Sequence, residues 1–330
     1  MRQSRLLSSW SRAGLLTVLA LYVGIALVDA QPRQYRIAVL TPGLAYSLVL
    51  KGFQDELAQL GYVEGKTVTL IVEDTQGVPP NLAQHAARLM AAKPDVLVTV
   101  TTPHTKAAKE TTANVPIVFT WVGDPIRSGL ITSYASSQNN LTGISVYSGP
   151  LSGKRLEILQ EVAPDIKRIL ALVATKDSIA ESAFQLLNET AQKLEIQVLR
   201  RDVTTREEIE HVLRDTPAGV ADAIYHVPSS LVGAHIELLI QKAKQEKLPL
   251  IVHEDSMVNK GALVSYGADF RLLGMQAARL VTKVLKGANP TDMPIQTPDK
   301  LILAVNLTTA KAIGLGLPLS VLERADRIVE

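Results

Sequence analysis

The sequence predicts an α/β fold of two doubly wound lobes facing one another. Three observations carry that reading. From residue 35 onward, short runs rich in Val, Ile and Leu alternate with segments of helical spacing, the pattern of βαβ units and a mostly parallel sheet. The alternation restarts near residue 150, with no sequence repeat behind it. The chain, at 330 residues, also exceeds what one hydrophobic core usually organises.

The N-terminus reads as an export signal. Arg2, Arg5 and Arg12 form a positive region, and Leu15 to Val28 is an apolar run broken by Thr17 and Gly24. Val28-Asp29-Ala30 then supplies a cleavage position. The run is shorter than the ~20 apolar residues of a membrane anchor. Residues 1–30 are therefore expected to be removed near Ala30/Gln31, leaving a soluble, monomeric periplasmic protein. Cleavage takes three of 34 basic residues and one of 32 acidic ones, leaving 31 of each. A formally neutral chain without a basic stripe argues against nucleic acid as a partner. There is no Cys, which excludes disulfides, thiol chemistry and a lipid anchor on Cys.

In the first lobe, Tyr35–Leu40 reads as a strand ended by Thr41-Pro42-Gly43. Leu50, Phe53, Leu57 and Leu60 recur at helical spacing, and Gly61 stops that helix. A strand over Lys66–Val72 and a helix over Asn81–Met90 follow. Asp95–Val100 reads as a buried strand, Thr101-Thr102-Pro103 as the opening of a helix, and Val115–Thr120 as the next strand, leaving the sheet through Trp121 to Pro125. Leu141–Val146 is a fifth strand.

The second lobe opens with a helix over Ser152–Val162. Strands are expected at Arg168–Val173, Ile196–Arg200, Ala221–Val227, Leu248–Val252 and Gly261–Tyr266. Helices are expected at Ile179–Leu194, Arg206–Leu213, Val232–Lys247 and Arg271–Lys286. Leu301–Val305 is a last strand, followed by helical pieces at Leu307 to Leu315 and from Pro318. A tail of this kind can cross back between lobes, and several crossings make a hinge in place of a Gly/Ser linker. Lobe 1 is placed at residues 31–149 plus about 269–299, and lobe 2 at 150–268 plus about 300–330.

Enzyme signatures are missing. No G-x-G-x-x-G, Walker loop or G-x-S-x-G occurs. His85, His104, His211, His226, His235 and His253 form no H-x-x-x-H or H-E-x-x-H pair, so neither metal nor cofactor is expected. The candidate chemistry lies at strand ends, where open parallel sheets build ligand crevices. His104 either is an exposed first-turn residue or lines the ligand entrance. Asp124 in Gly123-Asp124-Pro125 either starts a turn or meets a ligand ammonium. Asp177-Ser178 caps a helix, faces the crevice, or does both. Tyr266 and Asp269 stand past another strand end as a ring and a carboxylate. Thr101 and Thr102, beside a helix start, suit a carboxylate, and Tyr46 or Tyr266 suits an aromatic ring.

The stretches GFQDELAQLGYVEGKTV, PIVFTWVGDPIRSGL, LTGISVYSGPLSGKRLEIL, GALVSYGADF and VNLTTAKAIGLGLPLSVLERAD, in this order, resemble the TrpX-like group of ABC-importer substrate-binding proteins. The resemblance covers about residues 35–330. It implies the class I periplasmic-binding fold, with two Rossmann-like lobes on a three-segment hinge. It also implies capture of a small organic solute, an aromatic amino acid foremost, and its delivery to an ABC permease in the inner membrane. Carried over by position, it implies ligand contacts at Gly43, Thr101, Thr102, Pro103, Gly123 and Asp124 in the first lobe. In the second lobe it implies Asp177, Ser178, Pro228, Ser229, Tyr266 and Asp269. The sequence departs from the group at His104, where a small residue is usual, and at Ser137-Gln138-Asn139-Asn140, where the group has Pro-Gly-Gly-Asn. A sensor partner of a membrane receptor, or an enzyme on the same lobes, are the rival functions.

Overall fold

A computed structural model describes residues 33–330, apart from Leu44, Ala45, Val78, Pro79 and Tyr147. The side chains of residues 148–150 and of Ser178 are also outside the description, as is the expected export signal. No described helix is long and apolar enough to cross a membrane.

Two sheets organise the chain. The first contains β1 (Tyr35–Thr41), β2 (Val68–Asp74), β3 (Val96–Val100), β4 (Ile117–Val122) and β5 (Leu141–Ser145). All are parallel, in the order β2-β1-β3-β4-β5. Strands β3 and β4 are buried at every position, because helices cover both faces. On one face lie α1 (Ser47–Gln59) and α10 (Phe270–Leu285), which share a core with Val39, Val98 and Trp121. On the other lie α2 (Leu82–Ala91) and α3 (Thr102–Thr111), packed on Leu40, Leu97 and Phe119.

The second sheet contains β6 (Arg168–Ala174), β7 (Gln197–Val203), β8 (Ala223–His226), β9 (Leu250–Val252), β10 (Val264–Ala268), β11 (Leu301–Asn306) and β12 (Arg327–Val329). Its order is β12-β11-β10-β9-β8-β6-β7, parallel except between β10 and β11. Around it lie α4 (Ser148–Val162), α5 (Ser178–Lys193), α6 (Arg206–Asp215), α7 (Ser230–Ala234), α8 (Ile236–Glu246), α9 (Asp255–Asn259), α11 (Leu307–Ile313) and α12 (Leu319–Arg324). Most of these elements contribute to one continuous core.

The chain passes between the sheets three times. It leaves β5 for α4, returns from β10 into α10, and leaves again from the bridge of Gln296 with Ile144 into β11. The last tail does not cross back; it completes the second sheet with β12. Helix α10 is seated on the first lobe by backbone contact with α1. A Cβ on Gly274 would stand 1.9 Å from the Val49 carbonyl oxygen, and one on Gly52 2.0 Å from that of Arg271. Both positions therefore require glycine for close approach rather than for an unusual φ. Arg271–Asp55 at 2.9 Å and Arg279–Glu56 at 3.1 Å tie the same helices at the surface.

Three local differences from the sequence reading stand out. The helix expected over Val232–Lys247 is two helices that break at His235, which takes φ −120°. The buried positions Val232, Ile236, Leu239 and Ala243 keep helical spacing straight through the break, so periodicity does not reveal it. Helix α9 is five residues long and β12 three, too short for either period to register.

Candidate functional site

The carboxyl ends of the two sheets face each other across a cavity of about 820 Å³. That is ample room for a small organic molecule. On the first-lobe side it is lined by Pro42 and Gly43 after β1, Tyr46 ahead of α1, Thr101, Thr102 and Pro103 at the start of α3, and Trp121 and Gly123 at the end of β4. On the second-lobe side it is lined by Asp177 and Ile179 at α5, Pro228 and Ser229 ahead of α7, and His253 and Glu254 after β9.

Two strand-end residues on the first-lobe wall hold left-handed backbone without being glycine: Thr101 at φ +76° and Trp121 at φ +57°. Such conformations cost about 1–3 kcal/mol and persist where surrounding contacts impose them. At Thr101 the imposing group is His104. Its Nδ1 lies 2.8 Å from the Thr101 hydroxyl and its Nε2 2.8 Å from the Thr75 hydroxyl. Thr75 gives its proton to the Gly77 carbonyl at 2.6 Å, so it accepts from Nε2–H. Nδ1 then accepts from Thr101. His104 is fully buried, and burial holds its pKa down to about 4. It neither lines the cavity nor lies exposed. It is a neutral brace behind the wall, tying the ends of β2 and β3 together.

This network consumes the Thr101 hydroxyl proton and leaves that of Thr102 unspent. Thr102 Oγ1 is buried with no partner among the described residues. Pro103 has no N–H, so the first turn of α3 offers the amides of Thr102 and His104. An unpaired hydroxyl beside a helix N-terminus can donate to a carboxylate. Gly43, at φ +62°, completes this corner, where a Cβ would fall 2.1 Å from the Asp74 carboxylate.

Trp121 anchors an aromatic wall. Its ring centroid lies 4.3 Å from Phe270, 6.0 Å from Tyr46 and 6.1 Å from His253, and Tyr46 lies edge-on to Phe270 at 5.1 Å. Burial and the nearby Glu254 push the Tyr46 hydroxyl pKa up, so it stays neutral. In the second lobe, Asp177 accepts from the Ile179 amide at 2.9 Å and the Ser230 amide at 3.3 Å, joining two helix N-termini. Ser229 accepts from the Val232 amide at 3.2 Å.

Four of the sequence candidates do not line the cavity, and Ser178's side chain lies outside the description. His104 has the bracing position just given. Asp124 accepts from the Arg127 amide at 2.9 Å and does not line the cavity, so it is a turn former. Asp269 accepts from the Leu272 amide at 2.8 Å and caps α10. Tyr266 offers its carbonyl to Arg155 Nε at 2.7 Å and packs on the second-lobe core. Sequence reading passed over Trp121, His253 and Glu254. All three stand at carboxyl strand ends, the same rule that nominated the others.

The curated relative "Tyrosine-binding protein" of Clostridioides difficile is 28% identical over 265 residues, which are 80% of this chain and 76% of that one. Among solved structures, an ABC domain in complex with L-Trp from Streptococcus pneumonia shares the fold. It has a TM-score of 0.83 at 24% identity, covering 90% of this chain and all of that one. The ligand-free, open structure of a substrate binding protein with adhesive properties from Clostridium difficile has a TM-score of 0.72 at 26% identity, covering 89% and 99%. The architecture is that of the class I periplasmic binding proteins. Residues 36–329 match the ABC transporter substrate binding protein family as a whole, and the chain belongs to that family.

Proposed function

We propose that the protein binds an aromatic amino acid between its lobes and hands it to an ABC permease in the inner membrane. The observation that carries this reading is the pairing, in one cavity, of an aromatic wall with a carboxylate corner. Tyr46 and Trp121 offer ring faces and edges, and Thr102 Oγ1 with the start of α3 offers anion donors. Gly43, Thr101, Pro103, Gly123, Asp177, Pro228 and Ser229 shape the walls around the ligand. The tyrosine-binding relative supports the ligand class.

The three chain crossings serve as the hinge between lobe 1 (residues 31–149 plus about 269–299) and lobe 2 (150–268 plus about 300–330). Contacts between opposed elements support a closed arrangement. Arg127 Nη1 donates to Ser182 Oγ at 2.8 Å, and Ile179 sits over Gly123. The mature chain begins near Gln31, resides in the periplasm, acts as a monomer and performs no catalysis.

A thermal-shift screen of amino acids, sugars and fatty acids, followed by calorimetry, tests the ligand class. L-Tyrosine or L-tryptophan is expected to give the largest shift and to reduce the radius of gyration in solution scattering. A response to neutral sugars alone would reject the amino-acid reading.

A further inference from the structure

Among the described residues, Glu254 is the cavity-wall carboxylate that is buried and accepts from no backbone amide. It is 4% exposed. It precedes α9, yet its side chain does not cap that helix. Its Oε1 lies 3.2 Å from His253 Nε2, and its Oε2 accepts from Ser256 Oγ at 3.3 Å. Asp177, also on the wall, has both oxygens engaged by helix amides.

No lysine or arginine bonds Glu254 among the described residues. The groups around it come from every neighbouring element. His253 follows β9 and His226 ends β8, and burial holds both imidazoles neutral, His253 down to about 3 and His226 well below its usual value. Arg155 of α4 exerts a field on Glu254 but donates its Nε to the Tyr266 carbonyl. Lys260, beyond α9, also exerts a field on Glu254, but its ammonium pairs with Glu237 at 2.6 Å. Asp255 in α9 bonds Arg327, and Tyr46 ahead of α1 is a neutral phenol. A buried carboxylate in this setting stays charged only if a cation arrives.

We propose that Glu254 is the residue that selects for an amine on the ligand, and that it ionises when the ligand's ammonium docks, so that binding expels one proton to solvent. This rests on the amino-acid reading above and adds its specificity and pH dependence. Protonated Glu254 loses its carboxyl proton to the buffer, and the carboxylate formed pairs with the ammonium, which keeps all of its own protons. Burial already raises the Glu254 pKa to about 7, which sets the window. Below that pH a proton must be displaced, so apparent affinity falls as pH falls; well above it the group is already ionised and affinity levels off.

The test is calorimetry of the wild-type protein with L-tryptophan at pH 6 and pH 8.5, in pairs of buffers of different ionisation enthalpy. Indole-3-propionate, which lacks the amine, is the companion ligand. About one proton released at pH 6, almost none at pH 8.5, and none with indole-3-propionate at either pH would support the proposal. Glu254→Gln should abolish proton release and weaken L-tryptophan roughly tenfold to a hundredfold, while leaving indole-3-propionate unaffected. L-Tryptophan binding with no proton release at pH 6 would overturn the proposal and leave the amino-acid reading standing. Failure of L-tryptophan and L-tyrosine to bind at millimolar concentration would overturn both. The wild-type proton count decides the matter even if the variant does not fold.

Discussion

Gly123→Ala should weaken ligand binding by obstructing lobe closure. Gly123 ends β4 on the first lobe, and Ile179 begins α5 on the second. A Cβ at Gly123 would lie 2.9 Å from Ile179 Cγ2, 3.0 Å from Cδ1 and 3.2 Å from Cγ1. Carbon atoms in good contact stand about 3.5–4.0 Å apart, so the overlap is roughly 0.6–1 Å. It is relieved by forcing Ile179 off its rotamer, at about 0.5–1.5 kcal/mol, or by holding the lobes apart at some loss of ligand contact. A net loss of about 1–2 kcal/mol in the closed complex corresponds to roughly five- to thirtyfold in Kd. The residue stands at a strand end, so the stability of the unliganded protein should barely change. Calorimetry on Gly123→Ala, Ile179→Ala and the double variant reads the effect as a coupling. Truncating Ile179 makes room for the new methyl, so the glycine substitution should then cost little. Wild-type affinity in Gly123→Ala, or an equal loss with and without Ile179, would refute the argument.

Thr102→Val keeps the shape of the wall but removes the unpaired hydroxyl. It should weaken a carboxylate ligand by about 1.5–3 kcal/mol without lowering the melting temperature, and undiminished affinity would move the carboxylate elsewhere. Gly274→Ala places a methyl 1.9 Å from a backbone oxygen. The overlap should outweigh the gain in helix propensity of about 1 kcal/mol and destabilise the fold by about 1–3 kcal/mol net, measured by urea unfolding. His104, held down to about 4 in the folded chain, has an unfolded pKa near 6.5, so the unfolded state binds the extra proton below that value. Its contribution is fully present above pH 6.5 and falls by about 2 kcal/mol on going down to pH 5. His253 and His226 act in the same sense and Glu254 in the opposite one. Urea midpoints should therefore fall between pH 7 and pH 5, and less steeply in His104→Gln; an identical slope would exclude His104 as a source.

The order of strands and helices was legible in the residues because burial imposes its period locally. Val96–Val100 is apolar at almost every position since helices cover both faces of the central sheet, and α10 shows an apolar stripe since one face meets the first-lobe core. The strand-end rule likewise located Gly43, Tyr46, Thr101, Thr102, Gly123, Asp177 and Ser229 on the cavity wall, because a doubly wound sheet delivers every βα loop to the same edge. What that rule does not contain is the direction of a side chain. Asp269, Asp124 and Glu254 all follow strands, and in sequence they are equivalent carboxylates. Asp269 and Asp124 each accept from a backbone amide three residues on, so their charge is spent within their own loop. Glu254 leaves its helix uncapped and lines the cavity, beside the neutral His253 and with no lysine or arginine bonded to it among the described residues. His104 is the complementary case: a polar residue at a strand end, drawn behind the wall because two threonines from separate strand ends offer it both hydrogen bonds. For His104 the deciding partner, Thr75, stands 29 residues away in sequence, and only the folded chain brings it within reach.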